Sequence, residues 1–482
     1  MASIFTEENV QRLFGNEAAE NEPIERLKEY FFKTAIYNKV VSEVPLRILV
    51  GHKGIGKSAL FKIAISEDID HGNIPLLIRP DDVLEIAKED KSFLELIREW
   101  KKGLIELLSR RLLQELGVDN SDILKPILNF SGKFINWLIE SVKKIQKNVS
   151  LDPSRKILIE TFLKFKTITI YVDDLDRGWE GRPFDIKRIS ALLNAVRDLS
   201  SDNEGLRFRI ALRSDVYFLV RTSDESTDKI EGSVVWHSWI NHEILVLLIK
   251  RIETFFGRRV DEKNLIASKS RDIAYYLESV MQPKFTGHGL WENAPMYRIL
   301  MSLIRKRPRD LVKLCSSAAK VAYNDGSSII TTAHFQAVFE EYSQGRIQDT
   351  VNEYKTELSD IERLLFGMKP SKRSKTTKEA YSFTTADLMN KIDNVIQSGR
   401  FRFSNGKEAD KKSLAQFMYK INFLTAWKKM PDGKIQRKYF EENRYLNHQF
   451  ADFGYSWEIH PAYRWALQPD NIYDLFDSIS ED

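Results

Sequence analysis

The sequence predicts an α/β protein: a parallel sheet flanked by helices and carrying a helical insert, then an α-helical lid and a C-terminal winged-helix-like domain. Three observations predict it. Short apolar runs alternate with helical segments from about residue 46 to 250, the pattern of a parallel sheet covered on both faces. The first run empties into Gly51-His52-Lys53-Gly54-Ile55-Gly56-Lys57-Ser58, and the third ends on Asp173-Asp174. From about 256 to 350 the periodicity is helical, and 351–482 is mixed.

The expected strands are Arg47–Val50, Ile74–Ile78 (stopped by Arg79-Pro80), the β-branched run Thr167–Val172, and Phe208–Leu212. A helix over Ser58–Ile65 follows the glycines. Between about 84 and 160 the period becomes helical. Phe93, Leu94, Ile97, Trp100, Leu104, Leu107 and Leu108 form one stripe, and Gly117 is a C-cap after Leu116. This stretch reads as an insert within a core domain of residues 1–255, with the lid at 256–350. The most apolar segment, Ile123–Val142, is interrupted by Lys125, Lys133 and Glu140 and has Pro126 near its start. A membrane span needs about 20 predominantly apolar residues, so an amphipathic helix and no membrane association are expected.

Composition narrows the class. The 482 residues are 43% hydrophobic and 29% charged, a globular balance that excludes collagen-like or wholly disordered chains. One cysteine, Cys315, excludes an internal disulfide framework and fits a reducing compartment. No His spacing suits zinc. The start, MASIFTEENVQ, carries Glu7 and Glu8 and no apolar run, so no signal peptide is expected and the localisation reads as cytoplasmic.

Residues 51–58 match G-x-x-x-x-G-K-[ST], between an expected strand and an expected helix, the context that makes a P-loop. Gly51, Gly54 and Gly56 let backbone N–H groups converge on a phosphate at the positive end of a helix. Lys57 places an ammonium on the β- and γ-phosphates, and the Ser58 hydroxyl can ligate Mg²⁺. His52, Lys53 and Ile55 complete the loop, His52 as structural filler. ATP and Mg²⁺ are the expected cofactors of a P-loop NTPase. In Ile168-Thr169-Ile170-Tyr171-Val172-Asp173-Asp174-Leu175-Asp176-Arg177, Asp173 would hold the metal through water and Asp174 would orient the attacking water. The alternative for Asp174 is a loop cap. Arg213, at the end of Phe208–Leu212, is a candidate γ-phosphate sensor or else a salt-bridged arginine. Arg309, in RKRPRDL, is a candidate to reach over the nucleotide or else a solvated start to a helix. The 116 residues from Lys57 to Asp173 leave room for an insert, and Phe208–Leu212 supplies a strand beside Asp173.

GHKGIGKS with YVDDLDRGW resembles the KAP and STAND branches of the AAA+-related P-loop ATPases. LRSD is similar to the STAND sensor arginine, RKRPRDL to the lid-helix motif, and FGNEAAENEPIERLKEYFFKT to the leader of a bacterial P-loop ATPase family. The resemblance covers the first ~350 residues. It departs in lacking the membrane helices frequent in KAP proteins and the long repeat sensors of STAND proteins. It implies ATP hydrolysis coupled to homo-oligomer assembly, a separate effector protein, and a setting in antiviral defence. It also implies a trans-acting arginine, for which Arg177, Arg182 and Arg188 are candidates.

The C-terminal region is similar to a winged helix in the run Leu414–Lys429, the turn Met430–Lys434 and the aromatic segment after it. Residues 371–440 hold 16 Lys and Arg against 6 Asp and Glu, with SKRSKTTK (371–378) as a basic loop, while 441–482 hold 2 against 9. A basic face of that kind binds phosphate backbone, or pairs with the acidic end in protein contacts. The overall expectation is an ATP-driven assembly switch. A DNA-binding initiator or loader and a non-hydrolysing scaffold are the alternatives.

Overall fold

The computed structural model describes residues 4–18, 21–115, 139–140, 167–223, 225–287, 289–370, 380–430, 435–443, 446 and 454–467. The chain divides into two compact units. One comprises Lys33–His52 and Lys57–His237, the other Met1–Phe32, Lys53–Gly56 and Ser238–Asp482.

The first unit is built on five strands: β1 (Leu46–Val50), β2 (Ile74–Ile78), β3 (Ile168–Val172), β4 (Leu206–Leu212) and β5 (Val234–Trp236). They run parallel in the order β2-β3-β4-β1-β5. β3 (ITIYV) is buried at every position, so it carries no charged residue and is rich in β-branched side chains, as when both faces of a sheet are covered. β4 lies beside β3, as expected of the strand Phe208–Leu212, begins two residues earlier, and separates β3 from β1. β5 went unread, because three residues carry no periodicity to detect.

The helix after the glycine-rich loop spans Lys57–Asp70, longer than the expected Ser58–Ile65. Helix Phe93–Glu115 packs on helix Pro183–Asp202, which opens with Pro at its first turn. Of the expected stripe, Trp100, Leu104 and Leu108 are buried and Phe93, Ile97 and Leu107 pack half-buried against the same core, but Leu94 is 74% exposed. Leu96 and Leu112, not read from the sequence, complete a buried row with Trp100, Leu104 and Leu108 at a spacing of four. Each buried leucine contributes about 1.5–3 kcal/mol by leaving water. The remainder of the expected insert, with Gly117 and nearly all of Ile123–Val142, lies outside the described residues.

The second unit is mainly helical. Helices Asn241–Phe255, Met296–Leu303, Pro308–Asn324 and Thr332–Tyr354 form its centre. Among the described residues of 256–350 there is no named strand, only the isolated bridges Met281↔Ile330 and Lys284↔Pro295. Trp291, Phe285, Phe339 and Trp465 make an aromatic cluster, Phe339 and Trp465 with centroids 4.9 Å apart. Cys315 is fully buried, and burial pushes its thiol pKa up to about 12.

Helices Ile361–Gly367, Thr385–Gln397 and Lys411–Lys420 follow, with an antiparallel sheet of order β6-β9-β7-β8: β6 (Ser382–Phe383), β7 (Leu424–Lys429), β8 (Ile435–Lys438) and β9 (Ser456–Ile459). β7 and β8 pair from Ala426↔Lys438 to Lys429↔Ile435 and so flank the expected turn, whose residues 431–434 lie outside the described set, as does 371–378. Helix Lys411–Lys420 is exposed at Lys411 and Lys412 and buried from Leu414 on except at the half-buried Gln416. Leu414, Ala415, Phe417, Met418, Tyr419 and Lys420 are buried, Phe417 against Tyr354, and Lys420 pairs with Glu357. Among the described residues no helix is long and apolar enough to cross a membrane.

Candidate functional site

β1 is held on both sides, by β4 and β5, and its continuation is pinned by Gly51 N–H donating to the Leu212 carbonyl at 3.2 Å. To enter the following helix the chain reverses through Gly54 (φ +81°) and Gly56 (φ +103°), left-handed conformations that favour glycine. The Lys57 ammonium donates to the carbonyls of Gly51 (2.8 Å) and His52 (3.2 Å), so it is curled against the loop it follows. His52 is 2% exposed, with Nδ1 3.0 Å from the Ser214 hydroxyl, which makes it a brace for the loop. His237 is buried beside the Lys57 charge, and burial first, then that charge, push its pKa down to about 3, keeping the ring neutral.

The carboxylates stand at the end of β3. Asp173 accepts a hydrogen bond from the Ser58 hydroxyl, and its Oδ1 accepts the Asp174 N–H at 2.9 Å. Burial raises its pKa, and Ser58 and Lys57 only partly offset this. Asp174 is exposed, with φ +63°, a conformation costing a non-glycine residue about 1–3 kcal/mol. Asp176 is more enclosed, at 12% side-chain exposure. Burial pushes its pKa up to about 6 despite the Arg213 guanidinium 3.4 Å away. Arg213 also grips Asp215 through two hydrogen bonds of 3.1 and 2.7 Å, so it is braced between two carboxylates. Asp176 was missed by sequence reasoning; the signal was the third acid in DDLD, to which no role was given.

Of the three arginines considered for a neighbour's site, Arg177 is exposed and Arg182 pairs with Glu180 and Asp185. Arg188 is committed to its own unit. It donates to the carbonyls of Val83 and Ile86 at 2.8 and 2.9 Å and lies 5.4 Å over the Trp100 ring.

In the second unit, Arg309 begins helix Pro308–Asn324 beside Lys53–Gly56. Its N–H donates to the Gly54 carbonyl at 3.4 Å, and a Cβ at Gly54 would meet the Arg309 Cβ at 3.1 Å. Its Nε donates to the Glu17 carbonyl at 2.8 Å. Arg307, just before the helix, donates to the Lys53 carbonyl and to Glu353, both at 3.3 Å. Deeper, Asp310 holds Arg305 in a bidentate pair (2.7 and 3.0 Å) and also accepts from Arg346. These two guanidinium groups hold the Asp310 carboxyl far below the ordinary range against the opposing effect of burial. A cavity of about 260 Å³ is lined by Lys53, Arg305, Arg307, Arg309, Lys313 and Arg346 together with acids that include Glu17 and Glu353. Sequence reasoning singled out Arg309 and passed over Arg307, whose burial no local pattern announces.

Residues 243–351 match the model of the FunZ-associated C-terminal helical domain. The chain is similar to the putative transposon gamma-delta 80.3 kDa protein of Escherichia coli strain K12, with 21% identity over 96% of this chain and 69% of that protein. Among solved structures it is similar to the Walker-type ATPase PABY2304 of Pyrococcus abyssi (12% identity, 87% of this chain and 96% of that chain, TM-score 0.41). It is also similar to the Aeropyrum pernix ORC2 protein in ADPNP–ADP complexes (9%, 89% and 86%, TM-score 0.38) and to the ORC1 protein of the same organism in complex with DNA (11%, 92% and 94%, TM-score 0.32).

Proposed function

We propose that this chain is an ATP-binding and ATP-hydrolysing switch whose nucleotide sits in the amide cradle of residues 51–58. The observation that carries the reading is the Ser58 hydroxyl on the half-buried Asp173 carboxylate, at the end of β3, with Lys57 folded against the glycine-rich loop. A partly desolvated carboxylate gains from a cation beside it, and the adjacent hydroxyl completes a pair of oxygen donors of the kind Mg²⁺ favours. When bound, that ion would neutralise charge building on the β- and γ-phosphate oxygens.

In this reading Lys57 leaves the Gly51 and His52 carbonyls for the phosphates. Ser58 and Asp173 hold the metal side, and Gly54 and Gly56 keep the amides of the loop convergent. Asp174 orients the attacking water. Arg213, fixed by Asp176 and Asp215, reads the terminal phosphate, and Arg309 senses the loop at Gly54. Homo-oligomer assembly, the KAP or STAND branches, an effector partner and antiviral defence are supported by the sequence resemblance alone.

The test is uptake of labelled ATP with Mg²⁺ by the full chain, compared with Lys57→Ala. A loss of at least about tenfold in affinity is expected from removing a charge-assisted contact, and unchanged uptake would refute the reading. Single-turnover hydrolysis by Asp174→Ala separates the switch from a non-hydrolysing scaffold. The initiator-type alternative takes second place: helix Lys411–Lys420 buries its later turns in its own chain and leaves only its first turn, at Lys411 and Lys412, exposed.

A further inference from the structure

We propose that Arg305-Lys306-Arg307 is a joint that couples the loop at Lys53–Gly56 to the C-terminal β-sheet. The proposal rests on the ATP-binding reading above, since nucleotide is what would change that loop.

Three consecutive cations fasten to three different places. Arg305 is the fixed point. Besides Asp310, its Nη1 donates to the Thr350 hydroxyl and to the Tyr463 hydroxyl, both at 3.0 Å, so helix Thr332–Tyr354 and the turn after β9 meet on one guanidinium. Lys306 reaches toward the sheet. Its ammonium is 2.5 Å from Glu442 and 4.5 Å above the Tyr439 ring, both in the segment that follows β8. Arg307 reaches toward the loop. It donates to the Lys53 carbonyl, and Glu353 accepts both from Arg307 and, at 3.4 Å, from the Lys53 N–H.

Two adjacent residues therefore span from the Lys53 peptide to the Glu442 carboxylate. The backbone between them is strained: Lys306 sits at φ +51°, a conformation kept only when the surroundings over-determine it. The three contacts also differ in completeness. Arg305 is fully engaged, while Nε and Nη2 of the buried Arg307 have no acceptor among the described residues. The incompletely satisfied contact is the one that rearranges first when its carbonyl partner moves, and the strained link passes that movement to Lys306.

Hydrogen exchange of the full chain, with and without ATP·Mg²⁺, reads this at peptides covering β7 and β9. In the parent, ATP·Mg²⁺ changes protection there. In Lys306→Ala and Glu442→Gln the change shrinks at least about threefold while ATP affinity stays within about twofold. Lys306→Gly, which relieves the strain as well, shrinks it further. Full transmission in these variants, or ATP binding by the parent with no change at β7 and β9, overturns the joint. A parent that binds no ATP defeats the nucleotide reading instead. Gly54→Ala then supplies the loop perturbation: it must alter β7 and β9 protection in the parent background and not with Lys306→Ala, or the joint falls too.

Discussion

Replacing Asp310 by Asn tests the physical account of the second unit most severely. The substitution keeps the shape and removes the charge. Asp310 is 1% exposed and accepts three hydrogen bonds from two guanidinium groups whose side chains are 1–2% exposed. With Asn there, Arg305 and Arg346 become neighbouring buried cations, and the new amide N–H₂ faces a donor. Breaking a buried pair this way costs about 3–5 kcal/mol. At about 2–4 °C per kcal/mol for a domain of this size, the melting temperature should fall by roughly 6–20 °C. Thermal and urea unfolding at one pH, against Asp393→Asn as control, measure it. Asp393 pairs with Lys411 at 43% and 46% exposure, and its loss should cost under about 1 kcal/mol. If Asp310→Asn melts within a degree or two of that control, the buried network does not hold the unit together. Because the folded carboxyl is depressed, its contribution is fully present above the ordinary value of about 3.9 and is lost only as pH falls through the lower folded value. The gap between parent and variant should therefore stay constant from pH 5 to 8.

The raised Asp176 carboxyl gives the opposite sign. Its stabilising share is present below about pH 4 and lost as pH rises through about 6, so the parent's urea midpoint should climb on acidification from pH 7 to 5, and that of Asp176→Asn should not. Gly54→Ala puts a methyl 3.1 Å from the Arg309 Cβ at φ +81° and should cost about 1–2 kcal/mol, read as a lower melting temperature. Arg188→Lys, which loses a planar donor to the Val83 and Ile86 carbonyls, should destabilise by about 1 kcal/mol without changing ATP uptake, as checked by melting and filter binding.

The sheet was legible because its physics is local. Ile168–Val172 is uncharged and β-branched-rich since both faces are covered, and the GHKGIGKS spacing states its own turn. The Phe93 stripe placed Leu94 inside and left out Leu96 and Leu112, because helix Phe93–Glu115 buries an i, i+4 row and sequence alone does not say which of several apolar rows faces inward. Burial of charge was the least legible property. Asp176, Arg305, Arg307 and Asp310 look like surface residues in a charged sequence, and only partners distant in the chain, such as Thr350, Glu353 and Tyr463, show why they are inside. Helix Lys411–Lys420 carries three lysines, yet most of it is enclosed by contacts such as Tyr354 on Phe417 that no window of ten residues contains.

The enclosed Cys315 has a practical use. A thiol with its pKa pushed up to about 12 and no solvent access is almost wholly protonated at neutral pH and inert to maleimides. As it is the chain's single cysteine, any cysteine introduced on the surface becomes the sole reactive handle. Fluorophores or spin labels can therefore be attached one position at a time, without first stripping the background.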